Sequence, residues 1–131
     1  YGIDEENENG YPEDAIKFNE LLTASDGILL SLAEHNGAYT VAFKNIFDWV
    51  SRIDKIVWKN KPMLLMSTSP GGRGGATVMS IALERFPRHG ASIPAHFSLP
   101  SFYDNFKDGR LIRDDLSSNL NQKIELFKKS L

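Results

Sequence analysis

Cysteine is absent from the 131 residues of this chain, which excludes disulfides, zinc–thiolate centres and thiol nucleophiles. Any redox chemistry must then be carried by a bound cofactor. Positive charge is not concentrated either. Lys and Arg number 15 against 17 Asp and Glu, for a net charge of -2, with no basic block or basic helix face. Nucleic acid and anionic membranes are therefore poor partners. No apolar run approaches the roughly 20 residues that a spanning helix needs. The first residues are acidic, unlike the basic and then apolar order of a signal peptide, so the expected compartment is the cytoplasm. His89 and His96 lack metal-ligand spacing, and no metal site is expected.

What is present suits one ordinary core: 41% of the residues are hydrophobic, and the length fits one domain over 1–131. The opening stretch carries Asp4, Glu5, Glu6, Glu8, Glu13 and Asp14 with no basic residue before Lys17, and reads as a solvated loop. After Pro12, residues Ile16, Phe18, Leu21 and Leu22 recur at near-helical spacing. "GILLSL", Gly27 to Leu32, is short and apolar throughout, as expected of a strand covered on both faces of a parallel sheet. "AYTVAFKNIFDWVSRI" has apolar residues around most of a helical circumference, which predicts a largely buried helix or one that also meets a partner. Trp49 and Trp58 are expected in the core or a subunit contact.

The pattern then repeats in kind. "PMLLMS" is a second strand, followed by a glycine-rich loop and a helix from Ala76 to about Arg88, broken by Pro87 and closed near Gly90. "SIPAHFSL" is a third strand, placed at a sheet edge by Pro94. A last helix, from about Asp115 to Lys129, sets Leu116, Leu120, Ile124, Phe127 and Leu131 on one face. Strands alternating with helices predict an α/β sheet, mostly parallel, whose ligands sit at the carboxyl ends of the strands.

Two loops qualify by position. "STSPGGRGG", Ser67 to Gly75, allows close backbone approach and presents N–H groups at a helix start, which suits a phosphate or the electron-rich edge of a heteroaromatic ring. It lacks the Lys-Ser/Thr of a Walker loop and the spacing of the dinucleotide fingerprint, and on its residues alone it is equally a flexible turn. "AEHNG" offers Glu34, His35 and Asn36 as a carboxylate, an imidazole and an amide, or else a polar Asn-Gly turn.

Together, in this order and with the intervening helix, the loops resemble the NADPH-dependent FMN reductase family of flavodoxin-like quinone, chromate and azo-dye reductases. Ala33-Glu34-His35-Asn36-Gly37 stands where that family has Pro-Glu-Tyr-Asn, Phe43-Lys44-Asn45-Ile46-Phe47-Asp48-Trp49 matches its Leu-Lys-Asn-x-x-Asp-Trp helix, and "NKPMLLMSTSPGGRGG" matches its second landmark. Ala33 replaces a proline that presets the turn, and His35 replaces a tyrosine, keeping a ring while adding a titratable group. The resemblance covers roughly Ala15 to Pro100.

It implies a flavodoxin-like three-layer α/β/α fold with a parallel sheet. It also implies that the family's first two strands, phosphate loop and first helix have no counterpart here, so that the sequence is part of a longer protein, completes its sheet with another chain, or has left flavin for an interaction role. The implied cofactor is FMN, reduced by NADPH or NADH, with electrons passed to a small-molecule acceptor and no protein nucleophile required. The implied cofactor-binding residues are Glu34, His35, Asn36, Gly37, Ser67, Thr68, Ser69, Pro70, Gly71, Gly72 and Arg73. Arg73 is read either as a cation near the flavin or nicotinamide phosphate or as a solvated loop residue. A homodimer or homotetramer is expected, and the alternative function is a non-catalytic flavodoxin-like interaction module.

Overall fold

A computed structural model describes residues 1–131. The acidic opening is a short helix rather than the expected loop: α1 spans Ile3–Asn9, with Asp4, Glu5 and Glu6 in its first turn, where the helix dipole favours negative charge. Glu6 is paired with Arg52 at 2.9 Å, and the Tyr1 ring meets Trp49 edge-on at 4.9 Å. These contacts, invisible to a composition argument, tie the segment down. Helix α2, Glu13–Ala24, follows Pro12 as expected and buries Ala15 and Leu22.

Strand β1, Ile28–His35, turns back through the two-residue β2, Ala38–Tyr39, and leads into α3, Val41–Ile53, whose start is capped by Thr40 Oγ1 accepting the Phe43 N–H at 3.1 Å. Helix α3 buries Phe47, Trp49 and Val50, while Ala42, Lys44, Asn45 and Arg52 face solvent. It is thus amphipathic, and the apolar circumference that suggested burial all round resolves into one packed face. Strand β3, Pro62–Thr68, is followed by α4, Ala76–Arg85, a 3₁₀ turn, Phe86–His89, and the left-handed Gly90. Strand β4, Ser92–Leu99, precedes a single-turn helix α5, Phe102–Asn105, a tiny hairpin of β5, Phe106–Lys107, and β6, Arg110–Leu111, and finally α6, Asp114–Ser130.

The main sheet has the order β2-β1-β3-β4; β1, β3 and β4 are parallel, and only β2 is antiparallel. Pro94 sits on an edge strand, as its missing N–H requires. Alternate residues of β3 feed two cores. Met63 and Leu65 join Ile28, Leu32, Val50, Trp58, Val78 and Phe86 under α2, α3 and α4. Leu64 and Met66 meet Ala95, Ile124 and Phe127 under α6. Trp49 and Trp58 are 5% and 1% exposed, both in the first core. There the rings of Phe47, Trp58, Phe86 and Tyr39 pack within 4.7–5.9 Å of one another in successive pairs. Removing one such ring costs about 3–5 kcal/mol.

One expectation fails in an instructive way. Strand β1 is covered on one face only: Ile28 and Leu32 are buried, whereas Leu29 is 66% exposed and Ser31 and Ala33 are also exposed. Helix α6 lies over β3 and β4, so nothing covers the second face of β1. An apolar run specifies that a strand can be buried twice; it does not supply the second layer. No helix is long and apolar enough to cross a membrane.

Candidate functional site

Ala33 and Thr68 are paired across β1 and β3, so the two loops singled out in the sequence leave the sheet side by side. Between them lies a cleft of about 410 Å³ lined by Ala33, Glu34, His35, Thr68, Ser69, Pro70, Phe102 and Tyr103. A larger concavity of about 760 Å³ lies open along the polar side of α6 and has a single hydrophobic lining residue, Leu126. It gathers no chemistry comparable to the cleft, which sits at the carboxyl ends of parallel strands, where α/β sheets bind ligands.

The four glycines of the second loop divide into two pairs. Gly74 has φ +59°, and a Cβ there would stand 2.7 Å from the Leu99 carbonyl carbon and oxygen. Gly75 has φ +75°, and its Cβ would lie 3.1 Å from Ser67 Cβ. Both are demanded by the turn into α4 and its close packing on β3 and β4. Gly71 and Gly72 have no such reason. A Cβ on Gly72 would meet nothing within 4 Å, and one on Gly71 only Ser69 Oγ at 3.8 Å. Their smallness leaves space beside the loop.

Internal bonds engage more of that loop's carbonyls than of its N–H groups. The Gly71 carbonyl accepts from Gly74 and Ser101 N–H at 3.2 and 2.9 Å, and the Ser69 carbonyl accepts from Phe102 N–H at 3.0 Å. The N–H groups of Ser69, Gly71, Gly72 and Arg73 donate to no acceptor of the chain. The loop thus keeps four spare donors while the Ser69, Gly71, Arg73 and Gly74 carbonyls are engaged, a surface suited to an acceptor-rich ligand edge.

The remaining expected residues fall into distinct places. Ser67 is 2% exposed and its hydroxyl bonds Gly74 O at 2.8 Å and Ser98 Oγ at 2.9 Å; Thr68 Oγ1 donates to Leu99 O at 2.9 Å. These hydroxyls hold the loop to β4. Ser69 Oγ accepts the Gly75 N–H at 3.2 Å. Glu34 Oε2 accepts the Val78 N–H at 2.8 Å, so a carboxylate of the chain itself occupies the first turn of α4. That disfavours the phosphate-cradle reading of the loop. Asn36 and Gly37, with φ of 51° and 74°, form the two-residue turn between β1 and β2 and do not line the cleft. His35 is exposed and lines it. Arg73 is exposed, and the chain's ion pairs join other residues.

Two lining residues, Phe102 and Tyr103, lie outside the two loops that the sequence pointed to. Their signal was available: "SLPSFYDNF" follows the third strand, and every loop at the carboxyl end of a parallel sheet is a candidate. The residues present fit a flavin ring. The cleft surface is mainly apolar and is bordered by Ser69 and Pro70, from which the chain runs on into Gly71 and Gly72, open to a close approach and carrying spare N–H donors.

Comparison with known proteins bears on the family and the fold. The NADPH-dependent FMN reductase family model matches residues 1–104. Quinone reductase of Escherichia coli K12 is 32% identical over 76 residues, 58% of this chain and 40% of that protein. NADPH azoreductase of Bacillus sp. OY1-2 is 28% identical over 100 residues, 76% of this chain and 47% of that protein. The chain therefore spans less than half the length of these relatives. The structure of FerB, a flavoenzyme NAD(P)H:(acceptor) oxidoreductase from Paracoccus denitrificans, superposes with a TM-score of 0.72 at 23% identity, covering 99% of this chain and 75% of that one. The sheet is accordingly the flavodoxin-like one, mainly parallel and flanked by helices. By its sequence over residues 1–104, the chain belongs to the NADPH-dependent FMN reductase family.

Proposed function

We propose that this chain forms the flavin-ring side of an NAD(P)H-dependent FMN oxidoreductase site that passes electrons from a nicotinamide to a small-molecule acceptor, such as a quinone, an azo dye, a metal oxyanion or a flavin. The observation that carries the reading is the set of spare N–H donors on the glycine loop beside a mainly apolar cleft. The chemistry the cofactor supplies when bound is hydride acceptance and electron delivery in a ping-pong cycle. The protein supplies placement and electrostatics. The N–H groups of Ser69, Gly71, Gly72 and Arg73 would hold the polar edge of the ring and stabilise negative charge there. Gly71 and Gly72 give the ring room, and His35 and Pro70 would border it. Ser67, Thr68 and Glu34 act by fixing the loop and the start of α4, and Asn36 and Gly37 by turning the chain beside it.

The test is direct. Purified protein mixed with FMN and passed through a desalting column is expected to stay yellow and to oxidise NADPH when given a quinone. A colourless protein that FMN does not reconstitute favours the non-catalytic interaction module instead. A homodimer or homotetramer in the cytoplasm is part of this proposal; a monomer by sedimentation at micromolar concentration contradicts the assembly.

A further inference from the structure

We propose that Tyr103 is a specificity-determining residue of the cleft: together with Phe102 it forms an aromatic wall that stacks the planar ring of the electron acceptor and so favours ring-bearing acceptors over inorganic oxyanions. The inference rests on the flavin reading above and narrows its substrate class.

The wall is held in place by the backbone. Ser101 turns the chain in a left-handed conformation, φ 45°, unusual for a residue with a side chain. Its N–H donates to Gly71 O, and the Phe102 N–H donates to Ser69 O, which fastens the wall to the glycine loop. Asn105 is 6% exposed; its Nδ2 donates to Pro100 O at 2.8 Å, and its carbonyl accepts the Ile112 N–H at 2.9 Å. Phe102 stacks on Phe106 at 5.2 Å with an interplanar angle of 24°, and Tyr103 meets Phe102 edge-on at 5.6 Å and 79°.

Exposure then separates the positions of the two rings. Phe102 is half-buried, whereas Tyr103 is 71% exposed and still lines the cleft with His35 and Pro70. Tyr103 thus stands at the rim of the cleft, where an entering ligand meets it. No lysine or arginine lines the cleft, and its one carboxylate, Glu34, is engaged by Val78. An oxyanion would find no paired cation there, while a planar ring finds aromatic faces and edges.

The test is an equilibrium titration of the oxidised, FMN-loaded protein without reductant, followed by the flavin absorbance difference and by calorimetry. Menadione serves as the ring probe and chromate as the oxyanion. Tyr103→Ala is expected to weaken menadione binding by about 3- to 10-fold, the size of one aromatic contact, and to leave chromate unaffected. Tyr103→Phe is expected to bind menadione like the wild type. Equal menadione affinity in wild type and Tyr103→Ala, or an equal loss for both probes, overturns the inference. If the protein takes up no FMN, the flavin reading fails separately. The same calorimetric titration of menadione into the FMN-free chain then decides the wall, a Tyr103-dependent heat supporting it and its absence overturning it.

Discussion

At the scale of single residues, the glycine loop separates structural need from open space. Gly74→Ala would place a Cβ against the Leu99 backbone at a positive φ, and is expected to cost about 2–4 kcal/mol in chemical denaturation. Gly72→Ala meets nothing, so its denaturation midpoint should match the wild type while its flavin affinity falls. A second pair of opposed effects belongs to Tyr39, whose hydroxyl is buried with no partner. Burial pushes its pKa up to about 12. Because the folded value lies above the unfolded value of 10, the stabilising effect of its neutral form is complete below pH 10 and is lost as pH rises toward 12. Tyr39→Phe is expected to hold or raise stability at pH 7, by up to about 1 kcal/mol, since it removes an unsatisfied buried group. It should also flatten the alkaline loss of stability between pH 10 and 12, measured by thermal melts across that range. These distinctions were not legible in the sequence. "GGRGG" shows four glycines, but only the tertiary neighbours of each, Leu99 for one and nothing for another, separate their roles.

At the scale of elements, β1, β3, β4, α4 and α6 are legible because their periodicity and punctuation agree: Pro87 and Gly90 end a helix, and Pro94 marks an edge. Helix α1 is not, since its order comes from Arg52 and Trp49 more than forty residues away. Its docking should be acid-sensitive. The hydrogen bond from Arg52, helped by that from Tyr1, holds the Glu6 carboxyl below its ordinary 4.5. The contact is therefore fully present above pH 4.5 and is lost as pH falls through the lower folded value. Arg52→Ala is expected to abolish that acid step, read by hydrogen exchange of the α1 amides. Helix α4 carries the other elemental prediction. Glu34 accepts the Val78 N–H from outside the helix, so Glu34→Ala should cost about 0.5–2 kcal/mol, the range of a lost cap. The sequence marked Glu34 as a site residue by its place at a strand end, its carboxylate and the family resemblance; its engagement with α4 depends on β1 and α4 packing together, which no local pattern encodes.

At the scale of the whole molecule, three parallel strands bring three loops to one end of the sheet, and the cleft is built from all of them. Two of those loops carry motif residues and were legible. The third carries Phe102 and Tyr103, whose place in the site follows from topology rather than from any motif. The central claim is that the cleft holds a flavin by its ring, with spare N–H donors of the glycine loop along one edge. The measurement that tests it most directly is fluorescence titration with riboflavin and FMN, the two sharing a ring and differing by the phosphate. The account predicts saturable quenching by the protein for both flavins, weakened by Gly72→Ala at unchanged fold stability. Absence of quenching for both flavins, or binding that Gly72→Ala leaves untouched, would contradict it.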